Sequence, residues 1–301
     1  MRNSNFPMRL ILSNTAISIL FFTITLPAQH YSKLPITAPG AKAAPLTRPL
    51  ENPPKIVTIE ELEKQIANNP ADPINYNSLA ALYIPLGRYD DALAALEKAV
   101  EVGPKISRLH LNLSLLNDFL GRRADSLKAG ERAAELDAGD AKARMNLCTL
   151  YISVDRLRDA VSCFEILSPM MPNDPIVNVN YAFAVLKSGS PGRAVKILEN
   201  VVAKNPRYSA AHNLLGAAQY KNKQYSPALA SFKSAVEIAP DVPLYRYNLG
   251  ISQMTRKNKV GALSQYKFVK ETNPALAAKL YRYIYSDKLV FVGGLESIKQ
   301  R

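Results

Sequence analysis

Residues 207–240 read RYSAAHNLLGAAQYKNKQYSPALASFKSAVEIAP, and the order of large, small and punctuating residues in this stretch decides the fold. Leu215-Gly216 sets a large apolar residue beside one with no side chain, Ala228 is a second small residue twelve positions on, Phe232 follows, and Pro240 closes the segment. Moving 34 residues at a time from Pro240 meets Pro206, Pro172, Ala138, Pro104 and Pro70 in one direction and Pro274 in the other. With 21 prolines in 301 residues, chance does not place six of them in seven such slots. A fixed period of this length means stacked supersecondary units, none of which buries its apolar face alone. The core is then shared between neighbours, and what such a chain offers is a surface rather than a catalytic pocket.

The same ruler orders the rest of each unit. One small slot holds Ala80, Ser114, Cys148, Ala182, Gly216 and Gly250; a second holds Ala92, Ser126, Ala160, Ala194, Ala228 and Ala262. Helix axes pack roughly 8 to 10 Å apart, and paired small side chains at a crossing allow the near end of that range. Leu79, Leu113, Leu147, Tyr181, Leu215 and Leu249 fill the adjacent slot of the first helix, and Leu96, Phe164, Leu198, Phe232 and Tyr266 that of the second. Gly130 breaks the second series, which predicts an underpacked second repeat. Asp72-Pro73 and Asp174-Pro175 read as helix starts, with Ser107, Asp140 and Ser209 as further N-caps. Gly87, Gly121 and Gly189 fall where a left-handed residue ends the first helix.

These residues resemble the tetratricopeptide repeat family, a 34-residue helix–turn–helix unit. Leu249-Gly250, Ala262, Tyr266 and Pro274 match its pattern, as do Leu215-Gly216, Ala228, Phe232, Ala235 and Pro240, and Leu79-Ala80, Tyr83, Ala92, Leu96, Ala99 and Pro104. The second repeat departs most, with Asn117, Gly130 and Ala138 in place of tyrosine, aromatic and proline. The resemblance implies an all-α, right-handed α-solenoid with six repeats at 71–104, 105–138, 139–172, 173–206, 207–240 and 241–274. A half-repeat helix at 57–70 opens with a Thr58/Glu61 capping box, a capping helix spans 275–286, and 287–301 is a tail. The family is a general protein-interaction scaffold.

The N-terminal stretch is of another kind. Arg2 and Arg9 precede an apolar run from Leu10 to Leu26, and Ala28-Gln29 offers a cleavage point, so residues 1–28 read as a signal peptide and the chain as exported, periplasmic or secreted. The alternative is an uncleaved membrane anchor; after cleavage no stable membrane span is expected. Residues 29–56, with six prolines between Pro35 and Pro54, read as a disordered linker.

Charge is uneven along the chain. Residues 57–191 carry 14 Lys plus Arg against 18 Asp plus Glu, whereas residues 192–301 carry 18 against 6. Such a basic half attracts an acidic partner, anionic head groups or an acidic envelope polymer, or simply keeps the protein solvated. Nucleic acid is not expected, since no recognition motif occurs. Cys148 and Cys163 form a disulfide only if their α-carbons lie within about 7 Å, and two separate buried thiols are the simpler reading. His30 lies in the linker, while His110 and His212 share a slot three repeats apart, too far for one metal. No phosphate-binding loop, nucleophile elbow or H-E-x-x-H occurs, and Glu60, Glu61 and Glu63 suit a helix's first turn, so neither enzyme, metal nor cofactor is expected.

The functional lead is a row of asparagines, Asn112, Asn146, Asn180 and Asn248, each just before the large residue of its first helix. The resemblance places this slot on a concave inner face. An amide donates and accepts, so each can clasp one peptide unit of an extended ligand; ordinary local hydrogen bonding is the competing account. Phe183, Tyr220 and Tyr247 fall on or near the same face as apolar anchors for a protein or peptide partner. The basic clamp for a terminal carboxylate that chaperone-binding members carry is missing: Lys142 lies near Asn146 without a matching cation in the next repeat. The rival readings are an envelope assembly factor, such as a pilus or secretion-system accessory, docking through the basic half, and an enzyme of unrecognised type.

Overall fold

The structure is a computed structural model that describes residues 58–285. The expected signal segment with Ala28-Gln29, the expected linker and the expected tail lie outside the described residues. Among the described residues every regular element is a helix. They are α1 (Ile59–Asn68), α2 (Pro73–Tyr83), α3 (Tyr89–Val102), α4 (Ser107–Phe119), α5 (Arg123–Leu136), α6 (Ala141–Ser153) and α7 (Leu157–Met170). There follow α8 (Pro175–Lys187), α9 (Pro191–Lys204), α10 (Ser209–Lys221), α11 (Tyr225–Ile238), α12 (Pro243–Thr255), α13 (Lys259–Thr272) and α14 (274–285). The fold class is all-α, of the stacked-hairpin solenoid type. The chain divides into two compact units at Leu147/Cys148, inside α6.

In the N-terminal unit, Thr58 and Glu61 form the reciprocal capping box that opens α1. Leu62, Leu79, Ala80, Tyr83, Ala92, Leu96 and Leu116 share one buried cluster drawn from four helices, so no hairpin owns its core. The second repeat is tied where it was expected to be loose. Ser114 Oγ donates to the Ser126 carbonyl and Ser126 Oγ to the Ser114 carbonyl, each at 2.8 Å, and Gly130 is itself buried. Small hydroxyls at the crossing bring α4 and α5 together without the missing aromatic.

In the C-terminal unit the second-helix residues Phe164, Leu198 and Phe232 are buried, and the Phe232 ring lies against the small slot at Gly216. Gly216 shows what that requires: a Cβ there would lie 2.7 Å from the Phe232 ring. Leu280 of α14 is fully buried and sits against Gly250, closing the last apolar face with Ala262 and Ile284.

Helix ends follow local chemistry. Asp72, Asp140 and Asp174 accept backbone N–H groups at the starts of α2, α6 and α8. Ser107 and Ser209 do not cap: each is the first helical residue, and the Ser107 hydroxyl donates to the Ala133 carbonyl instead. Gly87, Gly121 and Gly189 have φ of 71°, 77° and 92°, and the same slot in the other three repeats holds Asp155, Lys223 and Lys257 at 60°, 62° and 59°. The turn imposes the left-handed conformation whatever the residue.

A further regularity joins each repeat to the next. Six residues after each closing position a side chain donates to that position's carbonyl: Tyr76 to Pro70, His110 to Pro104, Arg144 to Ala138, Asn178 to Pro172, His212 to Pro206 and Arg246 to Pro240. Four donor chemistries satisfy one geometry, at 2.6 to 3.2 Å. The carbonyl in the loop cannot be reached by the helix ladder, and the clasp supplies the partner that it needs.

Candidate functional site

The asparagine row does not act as one set. Asn112 is only 4% exposed and donates to Asn77 Oδ1 at 2.7 Å, so it is closed to a ligand. Asn248 makes the equivalent bond to Asn213 Oδ1 at 2.8 Å, and Asn146 donates to Ser114 Oγ at 2.8 Å. These amides join the first helices of neighbouring repeats, which answers why a mediocre helix former recurs there. Asn180, half-buried on α8, makes no side-chain hydrogen bond among the described residues, and its amide is the member of the row left to meet a ligand.

Phe183, Tyr220 and Tyr247 are all half-buried in the C-terminal unit. The Tyr220 hydroxyl lies 2.8 Å from Thr255 Oγ1 and 3.4 Å from the Tyr283 hydroxyl, linking α10, α12 and α14. Tyr247 packs with Ala262, Leu280 and Ile284. Burial pushes the Tyr220 hydroxyl above the usual phenol range, opposed in part by the Thr255 bond. Burial and then the adjacent Tyr283 do the same for Tyr247. Both phenols are therefore neutral donors and acceptors at physiological pH. Ile251 and Met254 are half-buried beside them on α12, so the first-helix face is apolar with a few polar tips. Thr255 and Tyr283 escape a reading by slots. The signal that finds Thr255 is an offset of 35 rather than 34, since Asn77/Asn112, Asn213/Asn248 and Tyr220/Thr255 all pair at that spacing, whereas Tyr283 follows no repeat offset.

Cys148 and Cys163 are joined as a disulfide, with α-carbons 5.3 Å apart. The reading as two separate thiols does not hold, because the small slot of α6 faces α7 closely enough for both β-carbons to turn inward. Nearby, Arg193 donates to Glu165 Oε1 at 2.7 Å and to the Tyr181 hydroxyl, pinning α7, α8 and α9. Burial raises Tyr181, and the Arg193 charge opposes it. Among the described residues no group of three His, Cys, Asp or Glu side chains is placed to hold a metal. None of their helices is long and apolar enough to cross a membrane. His110 and His212 serve as carbonyl clasps, each donating from Nε2 at 2.9 Å.

Two tetratricopeptide-repeat family models match the chain, over residues 78–141 and 185–249. CycH of Rhizobium meliloti (strain 1021), a cytochrome c-type biogenesis protein, is 35% identical over 107 residues, which is 34% of this chain and 28% of CycH. The chain spans between 6% and 28% of the length of the curated relatives it matches. Among solved structures, PilF of Pseudomonas aeruginosa superposes with a TM-score of 0.57 at 19% identity, over 72% of this chain and 98% of that one. YrrB, described as a tetratricopeptide-repeat protein with an unusual peptide-binding site, gives a TM-score of 0.50 at 20% identity, over 62% and 98%. At these identities the likeness is one of fold. The 34-residue spacing of the closing prolines is thus the pitch of a known hairpin stack, and the chain carries tetratricopeptide repeats over residues 78–141 and 185–249.

Proposed function

We propose that this repeat protein is an exported, non-enzymatic adaptor that holds a protein or peptide partner on the first-helix face of its C-terminal unit. The observation that carries this reading is the pairing, on that face, of an unbonded amide at Asn180 with half-buried Phe183, Tyr220 and Tyr247. A free amide reads peptide backbone, and half-exposed aromatic and aliphatic groups gain by being covered. The disulfide supports export, since such bonds persist in oxidising compartments. The basic C-terminal half adds electrostatic docking on an acidic partner or surface.

Site-specific photo-crosslinking tests the face. A crosslinker at Asn180 is expected to trap a partner that one at Lys196, on α9, does not trap; equal trapping from both positions rejects the first-helix face. Mass spectrometry of the mature N-terminus tests export, with Gln29 expected as the first residue and an intact Met1 in the cytosol contradicting it. A second reading, an envelope assembly factor of pilus or secretion type, draws on the similarity to a cytochrome c-type biogenesis protein over part of its length. Deleting the gene separates the two: an assembly role predicts loss of an envelope structure with its subunits still made.

A further inference from the structure

Three turns of the C-terminal unit share an edge. The turn between α10 and α11 and that between α12 and α13 are held side by side by the Tyr220–Thr255 hydroxyl pair at 2.8 Å, in the last turns of α10 and α12. A Cβ on Gly192, just past the turn between α8 and α9, would lie 3.6 Å from Asn222 Oδ1 of the next turn. Along this edge Lys187, Lys221, Lys223, Arg256 and Lys257 are all exposed.

None of them forms an ion pair among the described residues. Residues 194–285 contain fourteen Lys and Arg against four Asp and Glu, and none of those fourteen forms an ion pair among the described residues. Earlier repeats differ: at the corresponding turns Arg88 pairs with Asp91 at 2.7 Å and Arg156 with Asp159 at 2.6 Å. The carboxylates nearest in sequence to the basic edge lie elsewhere. Asp174, Glu237, Asp241 and Glu271 sit at the opposite helix ends, and Glu199 lies midway along α9.

The backbone fixes where two of these charges stand. Lys223 and Lys257 stand at φ of 62° and 59°, where Gly87, Gly121 and Gly189 occupy the same turn without a side-chain penalty. Charge is therefore carried at the turn tips at a conformational cost. Set among these cations are Val260, 81% exposed, and Tyr225, 38% exposed. Lysines with an interfacial tyrosine and a bare aliphatic tip are the composition of a surface that meets lipid head groups; an acidic protein would need no exposed valine there.

We infer that this edge docks the C-terminal unit on a bilayer bearing anionic phospholipid head groups. The inference rests on the proposed electrostatic role of the basic half and names its partner. The test is flotation of the full chain with vesicles of phosphatidylcholine alone or mixed with phosphatidylglycerol. An edge variant (Lys221→Gln, Lys223→Asn, Arg256→Gln, Lys257→Asn) is compared with a control of equal net charge (Lys196→Gln, Lys233→Gln, Lys267→Gln, Lys279→Gln). The edge variant is expected to lose roughly a hundredfold in partitioning to anionic vesicles, with the loss erased by high salt, while the control keeps it. Equal losses in both variants, or equal binding of wild type to neutral vesicles, overturns the inference. Binding of polyglutamate but not anionic vesicles through the same edge removes lipid as the partner and leaves the electrostatic role standing. Binding of neither anionic probe removes both.

Discussion

A lysine held at φ of 62°, as Lys223 is, has its Cβ crowded against the following carbonyl, a strain of about 1–2 kcal/mol that glycine escapes. Glycine loses about 0.5–1 kcal/mol to its freedom in the unfolded chain, so a small surplus remains. Lys223→Gly and Lys257→Gly are each expected to stabilise the C-terminal unit by about 0.5–1 kcal/mol in denaturant titrations. Neither should do so if the turn has other means of relieving the strain. The buried amide pair argues at the same scale. Removing Asn112 leaves the Asn77 carbonyl oxygen without its donor, which costs about 1–3 kcal/mol, whereas removing both partners costs less than the sum of the single losses. A double-mutant cycle of Asn77→Ala and Asn112→Ala should therefore show favourable coupling; strict additivity would mean that the pair carries no structural weight.

Two hairpin contacts set the element scale. In the fifth repeat α10 and α11 touch at Gly216, where a methyl group would meet the Phe232 ring at 2.7 Å. Gly216→Ala gains about 1 kcal/mol of helix propensity yet is expected to destabilise by about 1–3 kcal/mol net, because the ring must move. Adding Phe232→Leu should recover part of the loss, and a lack of recovery would locate the strain elsewhere. In the third repeat the Cys148–Cys163 bridge closes a separation of 15 residues between α6 and α7. Cross-linking a loop of that size restricts the unfolded chain by about 3 kcal/mol. The double variant Cys148→Ser/Cys163→Ser should lower the denaturation midpoint accordingly, and so should reductant acting on the wild type.

At the scale of the whole molecule, the tyrosines of the C-terminal unit tie stability to pH. Burial raises Tyr208, Tyr220 and Tyr247 above the ordinary phenol value because it favours the neutral hydroxyl. In the unfolded chain they ionise near about 10. The stability linked to them is fully present below that pH and is lost as pH climbs through their raised folded values. Tyrosinate absorbance should thus appear above pH of about 10 together with loss of helical ellipticity. Ionisation that precedes any loss of helix would show that these phenols are open to water. Residues 194–285 of the same unit also hold fourteen cations that form no ion pair among the described residues.

The amino-acid order alone determined the period, the small slots where helices cross, the acidic caps at Asp72, Asp140 and Asp174 and the left-handed turns at Gly87, Gly121 and Gly189. All of these are short-range matters of sterics and backbone hydrogen bonding, and they repeat because the hairpin repeats. What only the tertiary structure decided is where long-range partners fall. Asn112 and Asn248 turn toward the preceding repeat, Ser107 reaches α5 instead of its own helix start, Cys148 meets Cys163, and the cations from Lys196 to Arg282 form no ion pair among the described residues. The contacts among these depend on which of several rotamers meets a neighbour across a stacked helix, and that geometry exists only once the repeats have packed.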